Sequence, residues 1–274
     1  MNILFHHRTR GKGAEGVHIR GVTKGLRELG HNVHILSLPG ADPEEVQKAA
    51  NKPTSSENKS SPFKKLTDLT HHLPEFLFEL IELAFNVVAW FRIRKVVPQQ
   101  HIEMIYERYS LFMFISVWWA KRNGLPIVLE VNDSCLVHRV RPLFFASLAK
   151  KIEQWIFENA SGLVFISNYF QSIAKENYPN LVPSVISPNA ADLDKFIIDD
   201  NVAKSLRKKL GIEDKVVLGY VGAFVHWHGI DWFVDLIVDH LKDHPQLVLL
   251  LVGDGVCYEP IKQRVTEAGV ENQI

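Results

Sequence analysis

Two histidines on a loop bounded by glycines are the first residues here that could do chemistry. The stretch 216–231, VVLGYVGAFVHWHGID, runs from an apolar segment through Gly222 to His226, Trp227 and His228. Gly229 then opens a second apolar series. Ile230, Phe233, Val234, Ile237, Val238 and Leu241 step by three and four, the period of one helix face. The order is buried strand, glycine turn, helix. A helix N-terminus offers unpaired backbone N–H groups and the positive end of the helix dipole, and both attract a phosphate. The alternative is an ordinary turn of a βαβ unit that binds nothing, for a lone glycine turn is a weak motif.

A second glycine loop stands near the start of the chain. Gly11, Gly13 and Gly16 have GxGxxG spacing, after an apolar run at 2–5 and before a helix with Val22, Leu26 and Leu29 on one face. Gly30 stops that helix, and a strand follows in which Val33 and Ile35 point one way. This is not a dinucleotide fingerprint. The loop from Phe5 to Gly11 is too long for the tight turn, and Leu36, Ser37 and Leu38 stand where an acidic residue would end the second strand. No NAD-type cofactor is expected.

The elements that must position these loops alternate along the chain. Residues 39–72 are polar and poor in large apolar groups, and read as a mobile loop: a lid over substrate, or a surface insertion. Residues 75–97, EFLFELIELAFNVVAWFRIRKVV, read as a helix starting after Pro74 and stopping before Pro98. Glu79, Glu82 and Asn86 interrupt it, so it is too polar to span a bilayer. It reads as a core helix with one polar face. The other reading lays it on a membrane surface with Arg92, Arg94 and Lys95 against lipid phosphates. Strands are expected at 104–106, 127–131, 163–166 and 185–186. Helices are expected at 111–121, after Pro142 (with Leu148, Ile152, Trp155 and Ile156 on one face), at 169–176 and at 201–210. Such alternation means α/β architecture, with parallel sheets covered by helices on both faces. The pattern breaks at Pro188, Asn189, Ala190, Ala191 and Asp192, which gives two Rossmann-type domains, 1–190 and 191–274. Ligands of such sheets bind at the carboxyl ends of the strands, so the expected site is the cleft the two domains face.

Composition narrows the partners. The chain has 274 residues, with Lys+Arg and Asp+Glu both 31, so its net charge gives no reason to expect nucleic acid. Its only cysteines, Cys135 and Cys257, form no CxxC, and no secretory segment follows Met1. Both features point to a reducing cytoplasm and argue against a disulfide framework or a thiolate zinc site. The 13 histidines are scattered and form no HExxH.

Five segments, in order, resemble a GT-B fold glycosyltransferase of the retaining family 4. They are GAEGVHIRGVTKGLRELGHNV at 13–33, LPIVLEVND at 125–133, IEQWIFENASGLVFISN at 152–168, PNAAD at 188–192, and GYVGAFVHWHGID with LLLVGDGV at 219–231 and 249–256. The resemblance implies transfer of a sugar from a nucleotide-sugar donor to a glycan or lipid-linked acceptor, with no cofactor and no bound metal. It places the acceptor on the N-terminal domain and the donor mainly on the C-terminal one, with the diphosphate near both glycine loops. The implied donor contacts are Gly13, Ala14, Glu15, Gly222, His226, His228 and Gly229. The implied catalytic positions are Glu130 and Asn132, the latter standing where many members have a histidine.

The chain also departs from the family pattern. Where the family often has Gly-Arg-x-x-x-x-Lys-Gly, this chain has Ala223 at the arginine position and His228 at the lysine position. Charge on the leaving diphosphate then falls to His228, His226, backbone N–H groups or residues such as Arg8. The family continues for roughly another hundred residues, including a pair of glutamates that hold the donor. The second domain therefore reads as incomplete, and the expectation is impaired transfer, with an uncovered strand edge at 247–252 that favours self-association. The alternatives are a non-catalytic remnant that binds a nucleotide or a partner, and a sugar-nucleotide epimerase of similar fold. The expected location is cytoplasmic, at the inner face of a membrane if the 75–97 helix docks there.

Overall fold

The computed structural model describes residues 1–50, 74–137, 142–191, 193 and 196–274. These divide into two compact units, Met1–Asp192 and Leu193–Ile274.

The first unit holds a six-stranded parallel sheet of β1 (Asn2–His6), β2 (Asn32–Leu36), β3 (Met104–Arg108), β4 (Ile127–Val131), β5 (Gly162–Phe165) and β6 (Ser184–Ile186). Its strand order is β2-β1-β3-β4-β5-β6. The chain runs outward from β1 to β2, then returns to β3 on the other side of β1. The carboxyl ends of β1 and β3 therefore flank the point where the winding reverses, the place where open α/β sheets bind ligands. Side chains alternate across the pleat. Ile3 and Phe5 pack with Ile19 and Val33 on one face, while Leu4, Ile105 and Leu129 enter the larger core on the other.

Helices α1 (Gly13–Glu28) and α2 (Pro43–Ala50) follow β1 and β2. Then come α3 (Glu75–Gln99), α4 (Ile115–Arg122), α5 (Ala146–Asn159) and α6 (Asn168–Asn177). Several expectations need correction. On α1, Val22 and Leu26 pack on the core as expected, beside the buried Gly16, Ile19 and Thr23, but Leu29 lies beyond the helix, exposed. Residues 43–50 are helical where a loop was expected; the rest of that expectation, at 51–72, lies outside the described residues. On α5, Ile152, Trp155 and Ile156 pack on the core as expected, joined by the buried Ala149, Glu153 and Phe157, and only Leu148 departs from the expected face by being exposed.

The largest correction concerns α3. It runs through Pro98, because a proline in the last turn forfeits only one intrahelical bond there. Its polarity is the reverse of a core helix with an outward polar face. Glu79 and Asn86 are buried, with Ala89, Ile93 and Val97 on the same side. Each serves the start of another helix. Glu79 accepts the backbone N–H groups of Phe144 (2.6 Å) and Phe145 (2.8 Å), just ahead of α5. The Asn86 carbonyl accepts the N–H groups of Phe114 and Ile115, both at 3.0 Å, and its amide donates to the Phe112 carbonyl at 2.8 Å. That cap explains why α4 starts at Ile115: Leu111, Phe112 and Met113 form a buried turn, with Phe112 at φ 67°. What faces outward on α3 is apolar: Leu77, Leu80, Ile81, Val87, Val88 and Phe91 are all exposed.

The second unit contains α7 (Asp200–Leu210), β7 (Val216–Val221), a 3-10 turn (His226–His228), α8 (Ile230–Leu241), β8 (Leu247–Val252) and α9 (Tyr258–Ala268). β7 and β8 pair in parallel as a two-stranded sheet. Phe224, Ile230, Val234, Val238, Leu249, Cys257, Ile261 and Val265 form its core. β7 was expected to be buried, yet Val216, Leu218 and Val221 are exposed. One face of a sheet this small is packed by helices, and the described residues leave much of the other open.

Candidate functional site

At the carboxyl ends of β1, β3 and β4 the first unit gathers half-buried polar side chains around a buried Glu130. This carboxylate is almost fully buried. It accepts hydrogen bonds from His18 Nε2 (2.7 Å), Arg108 Nη1 (3.1 Å), Tyr106 OH (3.2 Å) and the Asn132 amide. Burial acts to raise its pKa, but His18, Asn132 and Arg108 together hold it below the ordinary carboxylate value. Glu130 is therefore an ionised hub with most of its lone pairs committed. Its hydrogen bonds hold His18 and Asn132 in place. Asn132 must turn its amide nitrogen toward a group that can only accept, so its carbonyl oxygen and second N–H remain for a ligand. Burial and the neighbouring Glu130 push the Tyr106 hydroxyl pKa well up, which keeps that group a neutral donor.

Next to this hub, His6 Nδ1 lies 2.5 Å from the buried Glu107 carboxylate, which also accepts the Ser116 hydroxyl at 2.7 Å. His7 is buried, and its Nε2 finds no partner. Burial first, then His6 and Arg108, lower its pKa to about 4, so it stays neutral near pH 7. Arg8 pairs with Glu82 and lies over the Phe85 ring at 5.0 Å. With its guanidinium engaged in that way, Arg8 is a poor candidate for offsetting charge on a leaving group.

The glycine loop leads into α1 without a side-chain cap at Lys12. Gly13, Ala14 and Glu15 occupy the exposed first turn, and His18 sits one turn further on. The loop is shaped by its other glycines: a Cβ on Gly11 would meet the Ala41 carbonyl oxygen at 1.9 Å, and one on Gly16 would meet the Gly11 carbonyl oxygen at 2.3 Å. Close backbone packing at these two positions requires glycine.

In the second unit, Gly222, His226, His228 and Gly229 lie on one loop between β7 and α8. Gly229 takes the left-handed conformation, φ 70°, and starts α8 without a side-chain cap. His228 Nδ1 is 2.9 Å from the Ala223 carbonyl oxygen and 3.0 Å from Tyr220 OH. A carbonyl only accepts, so Nδ1 carries the proton and Nε2 is the atom left to meet a ligand. The ring stands edge-on to Trp227 at 6.1 Å, and Trp227 is itself exposed, so this pair is not core packing. His226 Nδ1 is 2.5 Å from Asp231 Oδ2, an interaction that lowers the Asp231 pKa.

The structure thus brings Glu130 and Asn132 together and links them through His18 to the helix that opens with Gly13, Ala14 and Glu15. It groups Gly222, His226, His228 and Gly229 separately, within the second unit. Sequence reasoning missed His6, His7, His18, Tyr106 and Arg108. The charged pair Glu107 and Arg108 ending an apolar strand was a usable signal; nothing in the sequence marked His18. Asp231 and Cys257 were also passed over.

Among the described residues no helix is long and apolar enough to cross a membrane. No curated protein matches the chain. Solved structures do, at low identity. HepE of Anabaena, solved with UDP, gives a TM-score of 0.66 at 16% identity over 100% of this chain and 68% of its own. A glycosyltransferase from Rickettsia africae gives 0.66 at 17%, over 100% and 66%. Sucrose-phosphate synthase from Thermosynechococcus elongatus gives 0.64 at 16%, over 98% and 69%. These likenesses show the fold, that of GT-B glycosyltransferases, with the second unit the smaller. Residues 15–195 match Glycosyltransferase Family 4, well over half of the sequence, and the chain belongs to that family.

Proposed function

We propose that the protein transfers a sugar from a nucleotide-sugar donor to a glycan or lipid-linked acceptor, with residues 1–190 forming the acceptor side and 191–274 the donor side. The observation that carries this reading is the ionised Glu130 hub. It holds His18, on the helix after β1, and Asn132, at the end of β4, beside the reversal point of the sheet, where a sugar hydroxyl can be oriented. Structures of similar fold were solved with UDP, with UDP and glucose, and with UDP-glucose, which supports a uridine diphosphate sugar as the first donor to try. In the donor unit, His228 Nε2 and the N–H groups after Gly229 meet the diphosphate, with His226 and Gly222 lining the same loop. Such donors offset charge as the leaving group departs from an oxocarbenium-like carbon. Within the first unit, the uncapped start of α1 offers the N–H groups of Gly13 and Ala14 to an anion, whereas Glu15 carries the wrong sign of charge for a phosphate.

The acceptor is proposed to be presented at a membrane surface. The outward stripe of α3, Leu77 to Phe91, is apolar and exposed, and it ends in exposed Arg94 and Lys95. This is the pattern of a helix lying in a bilayer interface with its cations on lipid phosphates. A second reading, a non-catalytic module that binds a partner or itself, is favoured by the exposed apolar residues of β7.

The test is a screen of sugar nucleotides with product analysis, with and without anionic vesicles. Transfer from one donor, lost in Glu130→Gln and reduced in His228→Ala by on the order of 1.5–3 kcal/mol in kcat/KM, is the expected result. Turnover is expected to be weak in this chain; stoichiometric NAD binding, or transfer left unchanged in both variants, would overturn the proposal.

A further inference from the structure

We propose that His226, Asp231 and Cys257 form a binding site for one divalent ion of the zinc class. One ligand atom from each residue lies within 4.8 Å of the others, and they are the one group of this kind found among the described residues. His226 Nδ1 is 2.5 Å from Asp231 Oδ2 and 3.4 Å from Cys257 Sγ. A tetrahedral zinc with bonds of about 2.0–2.3 Å places its ligand atoms about 3.3–3.7 Å apart. The nitrogen–sulfur edge already fits. The nitrogen–oxygen edge must open by roughly 1 Å to reach that spacing, which rotation of the exposed His226 side chain can supply.

Backbone holds the convergence in place. His226 opens the 3-10 turn, Asp231 sits in the first turn of α8, and Cys257 immediately precedes α9. The two loops are tied together: Phe224 N donates to the Asp254 carbonyl (2.9 Å) and Cys257 N donates to the Phe224 carbonyl (3.0 Å). A Cβ on Gly253 would lie 1.9 Å from the Gly222 carbonyl oxygen, so only glycine permits this approach. The thiol is thus delivered to the histidine and the carboxylate by close packing of two main-chain segments. Cys257 is buried and His226 exposed, which gives a site with an anchored wall and an open mouth.

The donor set selects the ion. One sulfur, one imidazole and one carboxylate suit zinc and its borderline-soft neighbours, whereas magnesium and calcium take oxygen. Three protein ligands leave a fourth position for water or an anionic oxygen. The stretch 222–231 contains no lysine or arginine, so a bound ion would give this loop the fixed positive charge that its sequence lacks. The site departs from the metal-free expectation, and it stands whether or not the chain transfers sugar. Sequence spacing concealed it because Cys257 lies on a separate loop.

The test uses the full chain stripped with a chelator. Calorimetric titration with zinc chloride should show one equivalent binding at micromolar concentration or tighter. Cobalt(II) should give a thiolate-to-cobalt charge-transfer band with the strong visible bands of a four-coordinate ion. Cys257→Ser should abolish the charge-transfer band. His226→Ala and Asp231→Asn should each weaken zinc at least tenfold. Cys135→Ser should change nothing in either readout. If Cys257→Ser fails to fold by circular dichroism, the two variants at the open mouth decide the question. No stoichiometric binding by the parent chain would overturn the proposal. So would zinc binding that His226→Ala and Asp231→Asn leave unchanged, or a charge-transfer band that depends on Cys135.

Discussion

The two units expose their polar residues in opposite ways. In Met1–Asp192 the chemistry-bearing groups at the strand ends are bound to one another around a buried carboxylate, with Glu130 accepting from the half-buried His18, Arg108, Tyr106 and Asn132. In Leu193–Ile274 they stand on a surface loop: His228 meets a backbone carbonyl and the Tyr220 hydroxyl, and His226 meets the Asp231 carboxylate and the Cys257 thiol. A buried network stabilises the fold and holds the site with the same residues, because each lost partner strands a desolvated group. An exposed loop separates the two roles. Substitutions should therefore couple stability to function in the first unit and uncouple them in the second.

The sharpest way to break that comparison is Glu130→Gln. Removing the charge leaves Arg108 without its buried counter-ion and weakens the other hydrogen bonds to this position, and a loss on the order of 3–5 kcal/mol in denaturant unfolding is expected. A loss near zero would mean that the hub is not structural. His7 supplies the next effect. Its unfolded form takes up a proton below its ordinary 6.5, the folded one only near 4. Between those values the unfolded state binds more protons, so stability is fully present above pH 6.5 and falls as the pH drops toward 4. The window corresponds to about 3 kcal/mol. His7→Phe should flatten that part of a stability-against-pH curve, and an unchanged slope would assign it to other groups. Asn86→Ala should cost about 2 kcal/mol, since it uncaps α4 and strands buried backbone groups; a Tm unchanged from the parent protein would refute the capping role. The smallest effect completes the contrast. His228→Ala should shift unfolding by no more than about 0.5 kcal/mol while weakening donor binding. A large loss of stability there would show that the second unit couples the two roles as the first does.

The order of elements was legible from periodicity, because the apolar runs that make β1, β3, β4 and β8 have the lengths and punctuation of parallel strands. The glycine loops were legible too, since Gly229 and the uncapped start of α1 stand where the residue types put them. Burial was harder to read. β7 has the composition of a core strand, but its second unit packs helices against only one side of a two-stranded sheet. α3 was misread for a related reason: a pattern of apolar and polar positions says which residues differ, not which side meets the core. Glu79 and Asn86 face inward because helix starts elsewhere need acceptors, and that need is invisible within α3 itself. The Glu130 hub escaped notice because its members come from α1, β3 and β4, and only the sheet order brings them together.

The inward caps of α3 also have a mechanical consequence. Glu79 and Asn86 lie on one side of the same rod and grip the starts of α5 and α4. Any roll of α3 about its axis would release both grips together. The helix therefore resists torque along much of its length, and its outward stripe cannot turn to suit whatever it touches. A surface meeting Leu80 and Phe91 must adapt to the protein, and a push against that stripe would be transmitted as a push on α4 and α5.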